Sequence, residues 1–217
     1  LLRNNHSIGR GQEVLSPSQR SAGAVVKGND WYSRERSSAL EYGTLIHAWF
    51  ERIEWLGERD LFSKGEPDEC DLRGIAIRMP AKFVNVDSTL ADYRKMLSQP
   101  EICNLLHQRA YEPEFRRWYQ SRTGKRLSSD ALFEVRNEQP IVFAEDGHCA
   151  TGTIDRLILV YPGTNVVAAD VIDHKTDAAK TESKARDKAR FYGPQLRKYR
   201  DAVAEMFQLD SQHVRMR

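Results

Sequence analysis

The chain VVAADVIDHKTD (166–177) brings an acid and an amine to one strand end. Side chains alternate faces along a strand, so Asp173 and Lys175 point the same way. They lie roughly 7 Å apart at two strand rises. Such a pair can bind a divalent cation and orient a water or a phosphate; its plain alternative is a strand-end salt bridge worth under ~1 kcal/mol. The triplet is weak evidence by itself, since about one or two Asp/Glu-x-Lys triplets arise by chance in a chain of this size. Glu182-Ser183-Lys184, in a wholly polar stretch, is one such decoy.

TGTIDRLILV (151–160) sets Asp155 among Ile154, Leu157, Ile158 and Leu159. A carboxylate with apolar neighbours is costly unless it is paired or binds metal. Arg156 faces the other side of the pleat and cannot be that partner. The alternative is a solvated sheet face. A turn between the two segments would set Asp155 and Asp173 on neighbouring strands, where two carboxylates repel unless a cation lies between them. Glu138, in EVRNEQPIVF (134–143), offers a third acid beside an edge or bulge marked by Pro140, or else a solvent-facing edge glutamate. In GTLIHAWFERIEWL (43–56), His47, Glu51, Glu54 and Glu58 form a polar stripe at helical spacing. A histidine there is either a metal ligand or a satisfied boundary residue.

From Lys175 to Arg200 nine Lys/Arg stand against three Asp/Glu, in a chain whose net charge is only +2. This run is interleaved with Phe191, Tyr192 and Tyr199. Basic groups with aromatics suit a phosphate backbone with stacked bases, and a solvated helix face is the alternative. Gln195 and Tyr199, at i and i+4, offer hydrogen bonds from one helix face.

These residues need elements to hold them. Residues 1–38 are Ser-, Gly-, Asn- and Arg-rich and predict a linker or loosely docked arm, with the folded domain over 39–217. Apolar positions from Leu45 to Leu56 predict a helix that Gly57 stops. Residues 58–88 give no clear pattern. Leu90 to Trp118 predicts two or three helices, broken near Pro100 and Pro113. Leu132–Phe143, Cys149–Val160 and Val166–Lys175 predict three strands, the last two joined by Tyr161-Pro162-Gly163-Thr164-Asn165. Lys175 to Arg190 predicts a polar helix, and Pro194 opens a further amphipathic one through Leu196, Tyr199, Val203 and Met206.

Composition narrows the class. Three scattered cysteines, Cys70, Cys103 and Cys149, exclude a disulfide framework and a four-cysteine iron–sulphur cluster. Mean hydropathy of −0.63 and the absence of a long apolar run argue against a membrane span. Thr123-Gly124-Lys125 is no P-loop, because Tyr119 and Arg126 replace the glycine and hydroxyl residue. G-x-S-x-G, G-x-G-x-x-G and H-E-x-x-H are also absent.

GTLIHAWFE, NEQP, GTIDRLIL, VIDHKT and QLRKY occur in that order between Gly43 and Tyr199. The set resembles the RecB-like branch of the PD-(D/E)XK nuclease superfamily, most closely the nuclease domains of RecB/AddA-type helicase–nucleases. The resemblance implies an α/β, restriction-endonuclease-like mixed sheet flanked by helices, with helical insertions. It implies Mg²⁺ or Mn²⁺ held by His47, Asp155, Asp173 and the His174 carbonyl, with Lys175 catalytic and Glu138 assisting. Gln195 and Tyr199 then contact DNA, with Lys184, Arg186, Lys188, Arg190 and Tyr192 carrying the strand. It further implies a deoxyribonuclease, exonuclease rather than endonuclease, in double-strand break repair and recombination. The substrate is single-stranded DNA and a helicase is fused or associated, in the bacterial cytoplasm at the nucleoid. The alternative is a catalytically inactive DNA-binding scaffold of the same fold.

Overall fold

A computed structural model describes residues 34–57, 67–79, 84–145, 148–174 and 182–217, with side chains omitted at 34–37, 145 and 182–191. Among the described residues six α-helices and four strands follow one another as α1 (Arg34–Phe50), α2 (Glu69–Arg78), α3 (Val86–Leu97), α4 (Pro100–Leu106), α5 (Gln108–Thr123), β1 (Leu132–Glu145), β2 (His148–Tyr161), β3 (Ala168–Ile172), α6 (Glu182–Met206) and β4 (Val214–Met216), with a 3-10 turn at Ser211–His213 before β4. The sheet order is β1-β2-β3-β4. The first three strands form an antiparallel meander, and β4 joins β3 in parallel after the α6 crossover.

Three apolar clusters hold these layers. Leu45, Ile46, Trp49 and Phe50 of α1 pack against Leu72, Leu90, Tyr93 and Leu106. On one sheet face Tyr199 and Val203 of α6 cover Ile141, Ile154, Leu157, Leu159 and Val171. On the other, Tyr111, Phe115 and Tyr119 of α5 cover Phe133, Ile158, Val160 and Ala168. Trp49 is fully buried and donates its indole N–H to the Leu72 carbonyl at 2.9 Å, which satisfies its polar tip.

Several elements differ from expectation. α1 begins at Arg34, inside the expected arm, and ends at Phe50 rather than near Gly57. Glu51 and Glu54 therefore lie beyond the helix and form no stripe with His47, while Glu58 lies outside the described residues. α2 occupies the stretch that had no pattern, capped by Asp68, whose carboxylate accepts from the Asp71 N–H. Pro100 opens α4, as a first-turn proline can, whereas Pro113 and Pro194 lie inside α5 and α6 without ending them. Packing along α6 from Tyr199 to Ala204 outweighs the one hydrogen bond that Pro194 removes. β3 ends at Ile172, so Asp173 and His174 follow the strand rather than belong to it. β4, three residues long, is too short to show a period in sequence.

Candidate metal centre

Glu138 has a φ of 48°. A non-glycine residue in this region is strained by about 1–3 kcal/mol, a cost that clusters at functional sites. The alternation of faces slips there. Phe133 and Val135 pack with α5, whereas Ile141 and Phe143, also odd-numbered, pack with α6. On β2, Ile154 packs with α6 but Ile158, four residues on, packs with α5. Register is nevertheless kept one to one, with Asn137 opposite Arg156 and Gln139 opposite Ile154. Glu138 thus stands across from Asp155 at the point where both strands turn over.

His47 reaches the same point from the last turn of α1. Buried Ile46 and Trp49 on either side anchor that turn in the core. Ligating atoms of His47, Glu138 and Asp155 all lie within 4.8 Å of one another, and each side chain is partly exposed. His47 Nδ1 stands 3.6 Å from Asp155 Oδ2, with the two side chains 28% and 14% exposed. The same Oδ2 accepts the His174 backbone N–H at 2.6 Å. Burial, reinforced by the nearby Glu51 charge, raises the Glu138 carboxyl above its ordinary value. A carboxyl pushed toward its neutral form gains most from a cation. Two carboxylates and one imidazole suit a hard divalent ion, with the imidazole favouring Mn²⁺ over Mg²⁺.

The group that lies together differs from the expected ligands in one carboxylate. Asp173 is not in this group of three, and Glu138 is. The last β2–β3 pair is Arg156 with Ile172, and Asp173, one position further on, follows the strand. The Asp173 N–H donates to the Arg217 carbonyl at 3.0 Å, beside β4. That edge is fixed by buried Asp170, whose Oδ2 accepts from Arg215, Arg217 and Tyr111. The His174 ring stacks on Phe50 at 5.2 Å, tying the end of β3 to the end of α1.

Gln195 and Tyr199 lie deeper than a helix face turned to solvent would place them. They are 8% and 2% exposed, and Gln195 Nε2 donates to the Tyr199 hydroxyl at 2.8 Å. Tyr199 packs against the sheet, because the face of α6 that carries it is turned to β2. Tyr192 is partly buried on the same helix. Lys175 lies outside the described residues, as do the side chains of Lys184, Arg186, Lys188 and Arg190, whose backbone belongs to α6.

Two residues that the sequence reading passed over line the site from behind. Arg156 is 1% exposed, and Asn137 opposes it on β1. A charged residue beside Asp155 in an apolar run was the only sequence signal for it.

A family model described as the PD-(D/E)XK nuclease superfamily matches residues 21–217. The chain belongs to that superfamily. No curated protein and no solved structure matches it. Among the described residues no helix is long and apolar enough to cross a membrane.

Proposed function

We propose that this member of the PD-(D/E)XK nuclease superfamily is a RecB-like, metal-dependent deoxyribonuclease acting on single-stranded DNA. The observation that carries the reading is the convergence of His47, Glu138 and Asp155 from three separate elements. A scaffold with a disused site has no need to keep three ligand types together, or to keep the strained backbone at Glu138.

His47, Glu138 and Asp155 would hold Mg²⁺ or Mn²⁺, with Asp173 close by on the chain that leaves β3. The ion, when bound, would lower the pKa of a coordinated water and offset charge on the scissile phosphate. Asp155 has a second task, since its Oδ2 holds the His174 N–H and so fixes the start of the segment leading to Lys175. Lys175 follows directly, and its ammonium is assigned to orienting the attacking water and to the developing negative charge. The basic residues of α6 are assigned to the phosphate backbone.

The resemblance adds an exonuclease that receives its strand from a helicase in break repair. These 217 residues contain no P-loop, so strand delivery would fall to another ATP-driven unit. The test is cleavage of end-labelled single-stranded and circular DNA with Mg²⁺, with Mn²⁺ and with EDTA. Cleavage of the linear strand that requires metal and is lost in Asp155→Asn supports the reading. Metal-independent cleavage, or none, overturns it; cleavage of the circle overturns the exonuclease assignment.

A further inference from the structure

Arg156 is a buried guanidinium that donates to two backbone carbonyls and a side-chain amide. Its Nη1 donates to the Ile53 carbonyl at 2.8 Å and to Asn137 Oδ1 at 3.3 Å, and its Nη2 donates to the Glu54 carbonyl. Nε finds no acceptor among the described residues. One face of the group lies on Trp55, 5.0 Å from the ring centre. Burial lowers its pKa to about 10, which still leaves it charged at neutral pH. An apolar side chain of similar volume would fill this space without the desolvation penalty. What only Arg supplies is a rigid, planar fork of donors.

Asn137 completes the grip. Its Nδ2 donates to the Glu51 carbonyl at 2.9 Å and to the Ile53 carbonyl at 2.8 Å. Three carbonyls just past the end of α1 are therefore held by two residues of one cross-strand rung. The held turn is itself bonded back to the helix, with Glu51 N–H on the His47 carbonyl at 2.9 Å and Ile53 N–H on the Phe50 carbonyl at 3.0 Å. Glu51 links the Asn137 grip to His47, its carbonyl taking the Asn137 amide and its N–H bonding the His47 carbonyl. Glu138 and Asp155 occupy the next positions, between the Asn137–Arg156 and Gln139–Ile154 pairs.

We infer that the Asn137–Arg156 rung is a positioning clamp that fixes His47 against Glu138 and Asp155, and so sets the affinity of the site for a divalent cation without touching it. The inference rests on the metal-centre reading above. Glu138 and Asp155 supply two ligands, and the rung beside them holds the turn after the helix that carries the third. Groups that orient ligands in this way typically change metal affinity by about 10–100-fold when removed.

The experiment is Mn²⁺ titration by calorimetry on the whole chain, with thermal melting as a check on folding. Asn137→Ala is the first variant, since Asn137 is partly exposed and its truncation leaves the core intact. Arg156→Lys is the second, keeping charge while losing the fork. Each should weaken Mn²⁺ binding by roughly 10-fold or more while the protein stays folded. In a His47→Ala background the same changes should alter affinity by less than about 2-fold, because a clamp that acts through His47 has nothing left to position. Equal losses in both backgrounds overturn the clamp and leave a merely structural role. Wild-type affinity in both folded single variants overturns it too. A wild-type chain that binds no Mn²⁺ overturns the metal-centre reading itself, a result distinct from either of these.

Discussion

A β-carbon on Gly152 would stand 2.7 Å from Cε1 of Tyr199. The glycine before Thr153-Ile154-Asp155 is therefore set by α6, which brings the phenolic end of Tyr199 against β2. Two of the five motifs are one packing contact. Tyr199 cannot swing aside, because Phe143 meets its ring edge-on at 6.4 Å and Gln195 holds its hydroxyl.

Gly152→Ala should destabilise the fold by about 1–3 kcal/mol, the usual penalty for an added carbon in a packed region. Chemical denaturation checks this. Unchanged stability would mean that the ring moves freely, contrary to its burial.

Glu138→Gln should weaken Mn²⁺ binding more than Asp173→Asn does. The reason is that Glu138, and not Asp173, has an oxygen within the 4.8 Å group. Calorimetry on the two variants in parallel decides it, and the reverse order would restore Asp173 to the place expected from sequence.

Lys175→Ala should still bind Mn²⁺ and DNA but cleave roughly 10²–10³-fold more slowly, the scale of one electrostatic contact to the transition state. Single-turnover cleavage beside metal titration separates the two effects. Near-normal cleavage would remove Lys175 from the chemistry.

Neutralising Lys184, Arg186, Lys188 and Arg190 together should flatten the dependence of log K on log salt for single-stranded DNA by about 0.7 per lost phosphate contact. Fluorescence anisotropy across a salt series measures the slope. A wild-type slope would make this stretch of α6 a solvated face.

Glu114 should make stability depend on acid pH. Burial opposes its ionisation, but Arg217 and Arg215, at 3.1 and 2.9 Å, prevail and hold its carboxyl below the ordinary 4.5. A lowered carboxyl pKa stabilises the fold above the unfolded-state value, and that contribution fades as pH falls through the folded-state one. Glu114→Gln should thus melt below wild type at pH 7, with the gap closing below about pH 4.5. A gap that persists in acid would trace it to packing instead.

Local pattern in the sequence determined the meander. Alternating apolar residues and the Tyr161–Asn165 turn place β2 and β3 within a few residues of their observed bounds, since strand pairing across a short turn is encoded in one window of chain. It also supplied the chemical types, with His47, Glu138 and Asp155 candidates by spacing and assigned to a site by the family resemblance. Tertiary structure alone decided which of them meet. The left-handed φ at Glu138, the early end of β3, the turning inward of Gln195 and Tyr199, and the clamp of Arg156 on carbonyls more than a hundred positions away depend on which faces pack together. Periodicity reports a residue's face on its own element. It carries no information on which distant backbone that face will press against, because that choice is made by burial summed over the whole core.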